Sequence, residues 1–107
     1  MIRLTVLYNL PDGQSEASFL AWRLSEHQHN NESMPGVQRT DFARITKVWP
    51  DSGQPEYRFQ TTVEWPNRES FETGFYDEAV QAKLRENLKR LGDYTFMVSE
   101  VLVNSGD

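Results

Sequence analysis

The chain has no cysteine, no cluster of basic residues and no long apolar run, and each absence excludes a class of protein. Without cysteine it has no disulfide framework and no thiolate nucleophile, a composition that fits a reducing compartment. Its 11 Lys and Arg against 16 Asp and Glu give a net charge of −5, so nucleic acid is not an expected partner. Apolar runs stay below the roughly 18 residues that cross a membrane. These features predict a cytoplasmic protein without a membrane partner.

The length and the apolar content predict one small domain over residues 1–107. Hydrophobic residues make up 37% of the chain and aromatic residues 12%, which supports a real but small core. A core of this size favours completion by a partner.

The hydrophobic pattern predicts two β-α-β units in succession. Alternating apolar residues predict strands over residues 2–8, 37–49, 57–65 and 94–103. Helical spacing predicts one helix from about residue 16 to about residue 28, and a second from Asn67 to Gly92 with a break at Asp77. This order is typical of the α+β class, as a ferredoxin-like βαββαβ fold with a four-stranded antiparallel sheet and its helices on one face.

The opposite face of this sheet is predicted to be bare in a monomer. Leu7 points to that face, together with a share of the apolar residues in the second and fourth strands. Because such a face requires cover, the sequence predicts a homodimer that pairs sheet against sheet.

The first helix carries two polar side chains on its apolar face. At 100° per residue, Arg23 and His27 fall between Phe19 and Leu24. His27 there could serve as a catalytic acid or base, or it could be a helix-end histidine bonded to a carbonyl. Arg23 could hold a carboxylate or enolate oxygen, or position His27; the alternative is an arginine paired with Glu26 or a strand carboxylate.

Several aromatic side chains could line a substrate-binding pocket or form ordinary core. Tyr8 and Tyr57 are the better candidates for polar anchors, because a buried hydroxyl requires a partner and can donate to a substrate oxygen. The other candidates for substrate contact are Phe19, Trp22, Phe59, Phe71 and Phe75.

The histidines do not predict a metal site. His29 and Glu32 could join His27 as ligands, but His27 and His29 are two residues apart, so on a helix they do not face each other, and no third ligand is evident. The chain also has no phosphate-binding glycine loop and no nucleophile elbow. We therefore expect neither a metal nor a cofactor.

Taken together, these motifs resemble those of the EthD family (ethyl tert-butyl ether degradation proteins) in the dimeric α+β barrel superfamily. The resemblance covers nearly the whole chain. It rests on the opening strand IRLTVLY, on the run YRFQTTVEWPNRESF, and on the helix pattern Phe19, Trp22, Arg23 and His27 followed by Pro35-Gly36. The chain departs from the family at His29 and Asn30, where members often carry Pro and Leu.

The resemblance implies a small homodimeric protein of degradation or tailoring metabolism, including xenobiotic degradation. Related barrels include cofactor-independent cyclases, isomerases and monooxygenases that bind a hydrophobic aromatic or cyclic molecule between helices and sheet. The alternative is a non-catalytic dimer that binds a hydrophobic ligand or accompanies an oxygenase. Haem binding through His27 ranks below both readings.

Overall fold

The computed structural model describes residues 1–27, 34–50 and 55–104, with the backbone alone at residues 26 and 27. The elements in chain order are β1 (Ile2–Tyr8), α1 (Glu16–Trp22), a π-helical turn (Arg23–His27), β2 (Arg39–Arg44), β3 (Phe59–Trp65), α2 (Arg68–Phe75), α3 (Glu78–Leu88) and β4 (Tyr94–Glu100). Among the described residues, no helix combines the length and apolarity that a membrane crossing requires.

The four strands form one antiparallel sheet in the order β2-β3-β1-β4. In its register Leu4 pairs with Val63 on one side and Val98 on the other, and Val6 pairs with Thr61 and Phe96. This strand order is that of the ferredoxin-like α+β fold, so the predicted fold class is confirmed.

Side-chain caps determine where each helix begins. The Ser15 hydroxyl accepts from a backbone N–H in the first turn of α1, and Asn67 forms a capping box with Ser70 at the start of α2. The Asp77 carboxylate accepts from the Val80 N–H at 3.1 Å and so begins α3. The predicted break at Asp77 is confirmed, and it divides the second helical region into two helices.

Several predicted boundaries were too long. β2 covers only residues 39–44 of the predicted 37–49, and α1 gives way to the π-helical turn after Trp22. β4 ends at Glu100, because Glu100 already pairs with Ile2 at the start of β1 and the last bond runs from Val101 N–H to the Met1 carbonyl. Beyond that point the chain has no partner strand to follow.

The two faces of the sheet differ in polarity. The helix-facing side carries a buried core of Ile2, Leu4, Val6, Tyr8, Phe59, Val63 and Trp65, covered by Phe19, Phe71 and Phe75. On the far side Arg3 binds Glu64, and apolar side chains are limited to Leu7, Ala43 and Met97. The far face is therefore more polar than the sequence predicts.

Candidate ligand-binding site

A cavity of about 240 Å³ lies between the helix-facing side of the sheet and α3. Its floor is formed by sheet residues Leu4, Val6, Val63 and Phe96, and its opposite wall by the α3 residues Val80, Leu84 and Leu88. Internal apolar cavities of this kind between secondary-structure layers are the usual sites for small ligands.

The wall formed by α3 follows from the spacing of its apolar residues. Val80, Leu84 and Leu88 recur every four residues and form one stripe along the helix. All three are only half-buried and line the cavity, and Leu84 also packs against the edge of the buried core. Leu91, just beyond the helix, extends this apolar wall.

One end of the cavity is polar and centres on Arg23. Its side chain is completely buried, and its Nη2 donates to Thr61 Oγ1 at 3.1 Å. The Tyr8 hydroxyl is hydrogen-bonded to the same Thr61 oxygen at 3.0 Å. The guanidinium carbon also lies 4.2 Å from the centroid of the Phe42 ring, which is cation–π distance. We call the group Arg23, Thr61 and Tyr8 the polar end.

Burial lowers the pKa of the Arg23 guanidinium, while its electrostatic interaction and hydrogen bond with Tyr8 act in the opposite direction. An arginine side chain nevertheless stays protonated in proteins, so the polar end carries a positive charge at neutral pH. A fixed cation with two neighbouring hydroxyls is suited to bind a carboxylate, enolate or phenolate oxygen.

The π-helical turn begins at Arg23 itself. The Ser25 hydroxyl donates to the carbonyls of Ala21 at 2.7 Å and Trp22 at 3.2 Å, and so competes with regular α-helical bonding at this point. Single π-helical turns inside helices occur frequently at functional sites. Here the turn carries the buried cation of the cavity.

Residues 34–36 are held beside α2 by close contacts with the Pro35 backbone. Trp65 Nε1 donates to the Pro35 carbonyl at 3.0 Å. A Cβ at Gly74 would collide with that carbonyl and lie 2.8 Å from Trp65 Nε1, so only glycine permits this approach. These contacts place Met34 on the cavity wall.

The structure brings four of the predicted site residues to the cavity and leaves four others away from it. Tyr8, Trp22, Arg23 and Phe75 line it. The other four, Phe19, Tyr57, Phe59 and Phe71, are absent from its lining.

The three phenylalanines that miss the cavity belong to packed aromatic clusters. Phe19 and Phe59 are fully buried with ring centroids 5.2 Å apart, and Phe71 stacks on Phe75 at 5.4 Å. These three rings therefore belong to the ordinary hydrophobic core, which was the alternative to substrate contact. Tyr57 differs, because its hydroxyl bonds Thr95 Oγ1 at 2.7 Å and Thr95 points to the far face of the sheet.

His27 is the last residue of the π-helical turn, but its side chain lies outside the described residues. The same holds for His29 and Glu32, so the predictions for these residues remain predictions. Within the described part of the chain, no group of three potential metal ligands occurs.

Three polar residues of the cavity were missed in the sequence: Thr61, Lys83 and Asn87. Two of them carried a recognisable signal. Thr61 interrupts the apolar parity of β3 between Phe59 and Val63, and Asn87 occupies a buried position on the apolar side of α3. A polar residue at a buried position indicates a functional site more often than an apolar residue at such a position does.

The structure defines a small ferredoxin-like α+β protein with an apolar cavity between its sheet and α3. More narrowly, the chain belongs to the REDY-like protein HapK family, whose model matches residues 2–102. The predicted resemblance to the EthD family is confirmed, because EthD family proteins share this fold, and the family model refines it to the HapK family. Comparison with curated proteins finds no match.

Three solved structures illustrate the fold relationship. An EthD family protein from Bacillus halodurans is 19% identical, with a TM-score of 0.78 and coverage of 95% of this chain and 99% of the other. HapK from Hahella chejuensis is 18% identical, with a TM-score of 0.73 and coverage of 100% and 98%. SnoaB from Streptomyces nogalater, a cofactor-independent oxygenase, is 8% identical, with a TM-score of 0.69 and coverage of 99% and 97%.

Proposed function

We propose that this protein is a small homodimeric enzyme of degradation or tailoring metabolism that acts on a hydrophobic aromatic or cyclic molecule without a cofactor. The cavity would hold the ring system, the polar end would bind a ligand oxygen, and His27 would transfer the proton. The reaction class is proton abstraction or donation at carbon or oxygen, as in a cyclisation, an isomerisation or a cofactor-independent oxygenation.

The observation that carries this proposal is an apolar cavity whose buried end holds a cation and two hydroxyls. Apolar walls favour a hydrophobic body, and a few convergent polar groups fix its orientation. In water-poor surroundings a positive charge stabilises a developing oxyanion far more than it would in water. Arg23, Thr61 and Tyr8 supply these groups here.

The role of His27 rests on its place in the chain. It is the residue that ends the π-helical turn beginning at Arg23, four positions earlier. Imidazole changes its charge near neutral pH, which suits a residue that acts as an acid or a base.

The known relatives support the general class of activity. HapK and the EthD protein share the fold, and SnoaB is named as a cofactor-independent oxygenase. Because one fold hosts several reactions, the relatives do not select the chemistry for this chain.

The homodimer is supported by the far face of the sheet. Leu7 and Met97 are diagonal neighbours across β1 and β4 on that face, and Met97 is exposed. One solved neighbour is itself described as a dimeric ferredoxin-like protein. Met97→Glu should then shift the molecular mass in solution toward the monomer by analytical ultracentrifugation, and an unchanged mass would contradict pairing through this face.

A second reading is a non-catalytic protein that binds a hydrophobic ligand or accompanies an oxygenase. It is favoured by the hydrogen bonds within the polar end, where Arg23 and Tyr8 both bond Thr61, since a satisfied network needs no chemistry to justify it.

Hydrogen–deuterium exchange of a carbon acid separates these two readings. The probe is 2-tetralone, a two-ring ketone with activated hydrogens, incubated with protein in D₂O and followed by proton NMR. We expect exchange above the buffer rate with wild type, a loss of about 100-fold or more in His27→Ala, and an unchanged rate in His29→Ala, which removes the only other histidine.

The result of the 2-tetralone experiment distinguishes the enzyme from the ligand-binding protein. Exchange at the buffer rate in wild type, or equal rates in wild type and His27→Ala, would overturn the acid–base role. If 2-tetralone still raises the melting temperature in that case, the ligand-binding reading replaces the enzyme reading, since ligand at 100 times Kd adds about 2.7 kcal/mol.

A further inference from the structure

Building on the proposed ligand site, we infer that the cavity selects compact acidic compounds: one or two rings carrying a single carboxylate, enolate or phenolate oxygen, bound as the anion. Arg23 is the residue that determines this preference, and Lys83 guides the ligand toward the opening. A neutral compound of the same shape should bind more weakly.

The charged residues described in the cavity lining are opposite in sign to the net charge of the chain. The protein carries a net charge of −5. The charged side chains among the described lining residues are nevertheless Arg23 and Lys83, both cations. Positive charge concentrated in an apolar recess of an acidic protein raises the local concentration of small anions.

Arg23 is held in place before any ligand arrives. Its side chain is fully buried, its Nη2 bonds Thr61, and its guanidinium lies over the Phe42 ring. A buried, fixed guanidinium acts on an anion in the cavity through its charge, which is weakly screened in surroundings with little water, and it loses little conformational freedom when the ligand binds. Its charge cannot be neutralised at physiological pH, so it favours the ionised form of an acidic ligand over the protonated form.

Lys83 has a different position and therefore a different role. It projects from α3, is exposed to solvent and still lines the cavity, so it lies at the opening. A solvated ammonium attracts anions over distance but adds little to selectivity at close range. Lys83 should therefore affect the association rate and its salt dependence.

The cavity volume accommodates a ligand of about two rings. An apolar cavity of about 150 Å³ holds benzene, and this one measures about 240 Å³. Naphthalene-sized compounds with one short acidic substituent fit this range.

The test compares 2-naphthoate with 2-naphthamide, its neutral analogue of the same shape, by isothermal titration calorimetry. We expect wild type to bind the carboxylate about 10-fold or more tightly than the amide, the usual margin for a hydrogen bond to a charged group. Arg23→Met should lose this preference while retaining amide binding. Arg23→Lys, which keeps the charge without the planar fork, should retain part of it.

Lys83→Gln is the matched control, because it removes the other cation of the cavity. It should preserve the equilibrium preference for the carboxylate while slowing association in stopped-flow measurements at low salt. An undiminished preference for the carboxylate in both Arg23 variants would overturn the role of Arg23. Loss of that preference in Lys83→Gln would show that Lys83, at the opening, determines it instead.

Failure of this inference can be distinguished from failure of the proposed function. If wild type binds the amide as tightly as the carboxylate, the anion preference is wrong and the ligand site stands. If wild type binds neither compound but exchanges 2-tetralone, the acidic class is wrong and the enzyme reading stands. If wild type binds neither naphthalene compound and does not exchange 2-tetralone, both the anion preference and the proposed function would be overturned.

Discussion

The two helices α2 and α3 are neighbours in sequence and carry similar apolar patterns, yet one packs on the sheet and the other leaves a cavity. In α2, Phe71 and Phe75 are buried and both contact Trp65 of β3 edge to face. In α3, Leu84 and Leu88 remain half-buried. Apolar periodicity thus identifies the inward face of a helix but not the distance between that face and the sheet.

The difference between the helices comes from their closest contacts. Gly74 allows α2 to approach the Pro35 loop to backbone distance, and the aromatic rings fill the remaining space. At the start of α3, Gln81 Nε2 bonds the Phe75 carbonyl at 2.8 Å. Farther along, Leu84 and Leu88 line the cavity together with Leu4 and Val6 of the sheet. The tightest packing on the sheet therefore lies under α2, and the open space of the cavity lies under α3.

The largest difference should appear when one apolar side chain is truncated on each helix. Phe71→Ala should lower the free energy of unfolding by about 3–5 kcal/mol, because it opens a void in packed core. Leu84→Ala should cost only about 1 kcal/mol, since Leu84 is half-buried beside existing space. Urea denaturation measures the free energy of unfolding of both variants. Equal losses would contradict the conclusion that α2 packs more tightly on the sheet than α3 does.

Gly74→Ala should give the next largest effect. The added methyl group would collide with the Pro35 carbonyl and crowd Trp65, at a cost of about 1–3 kcal/mol for overpacking. Thr73→Ala, at the exposed neighbouring position of α2, should change the stability little. A melting temperature equal to that of wild type in Gly74→Ala would show that the loop moves freely away from α2.

Arg23→Met should lower the free energy of unfolding by no more than about 1 kcal/mol or should raise it, because an apolar side chain of similar size no longer requires burial of a charge. Burial depresses the folded-state pKa of Arg23, so its cost is present at every pH below that pKa and is relieved only above it. The difference between wild type and variant should therefore stay constant from pH 5 to pH 9. A loss of about 3–5 kcal/mol would indicate a structural ion pair instead.

Leu84→Phe should have the smallest effect on stability and a large effect on binding. The larger ring would occupy part of the cavity where space already exists, so the overpacking cost should stay below about 1 kcal/mol. Affinity for 2-naphthoate should fall sharply in calorimetry. Undiminished affinity in a folded variant would show that the ligand binds elsewhere.

The sequence predicted the fold well because its signals were local. The alternation in β3 and the cap at Asp77 are short-range patterns that tertiary contacts did not override. β2 was predicted too long because the apolar residues of that stretch alternate irregularly. β4 was predicted too long because its end depends on where its partner strand β1 begins, which the local sequence does not show. The π-helical turn has no sequence signal of its own beyond Ser25, whose hydroxyl bonds two carbonyls.

The site was predicted only in part, for a physical reason. Arg23 and Tyr8 were found because polar groups on apolar faces are conspicuous, and the same signal was available at Thr61. Phe19 and Phe59 were assigned to substrate contact because an aromatic residue has the same pattern whether it faces a ring or a void. Only the relative placement of helix and sheet distinguishes these cases.

Methyl NMR tests most directly whether the space under α3 is the ligand site. Protein labelled at Leu and Val methyl groups would be titrated with 2-naphthoate. We expect the largest shifts at Val63, Leu84 and Leu88, which line the cavity, and none at Leu102 and Val103, which are exposed beyond β4. Shifts centred on Leu102 and Val103, or no shifts at saturating ligand, would contradict the account.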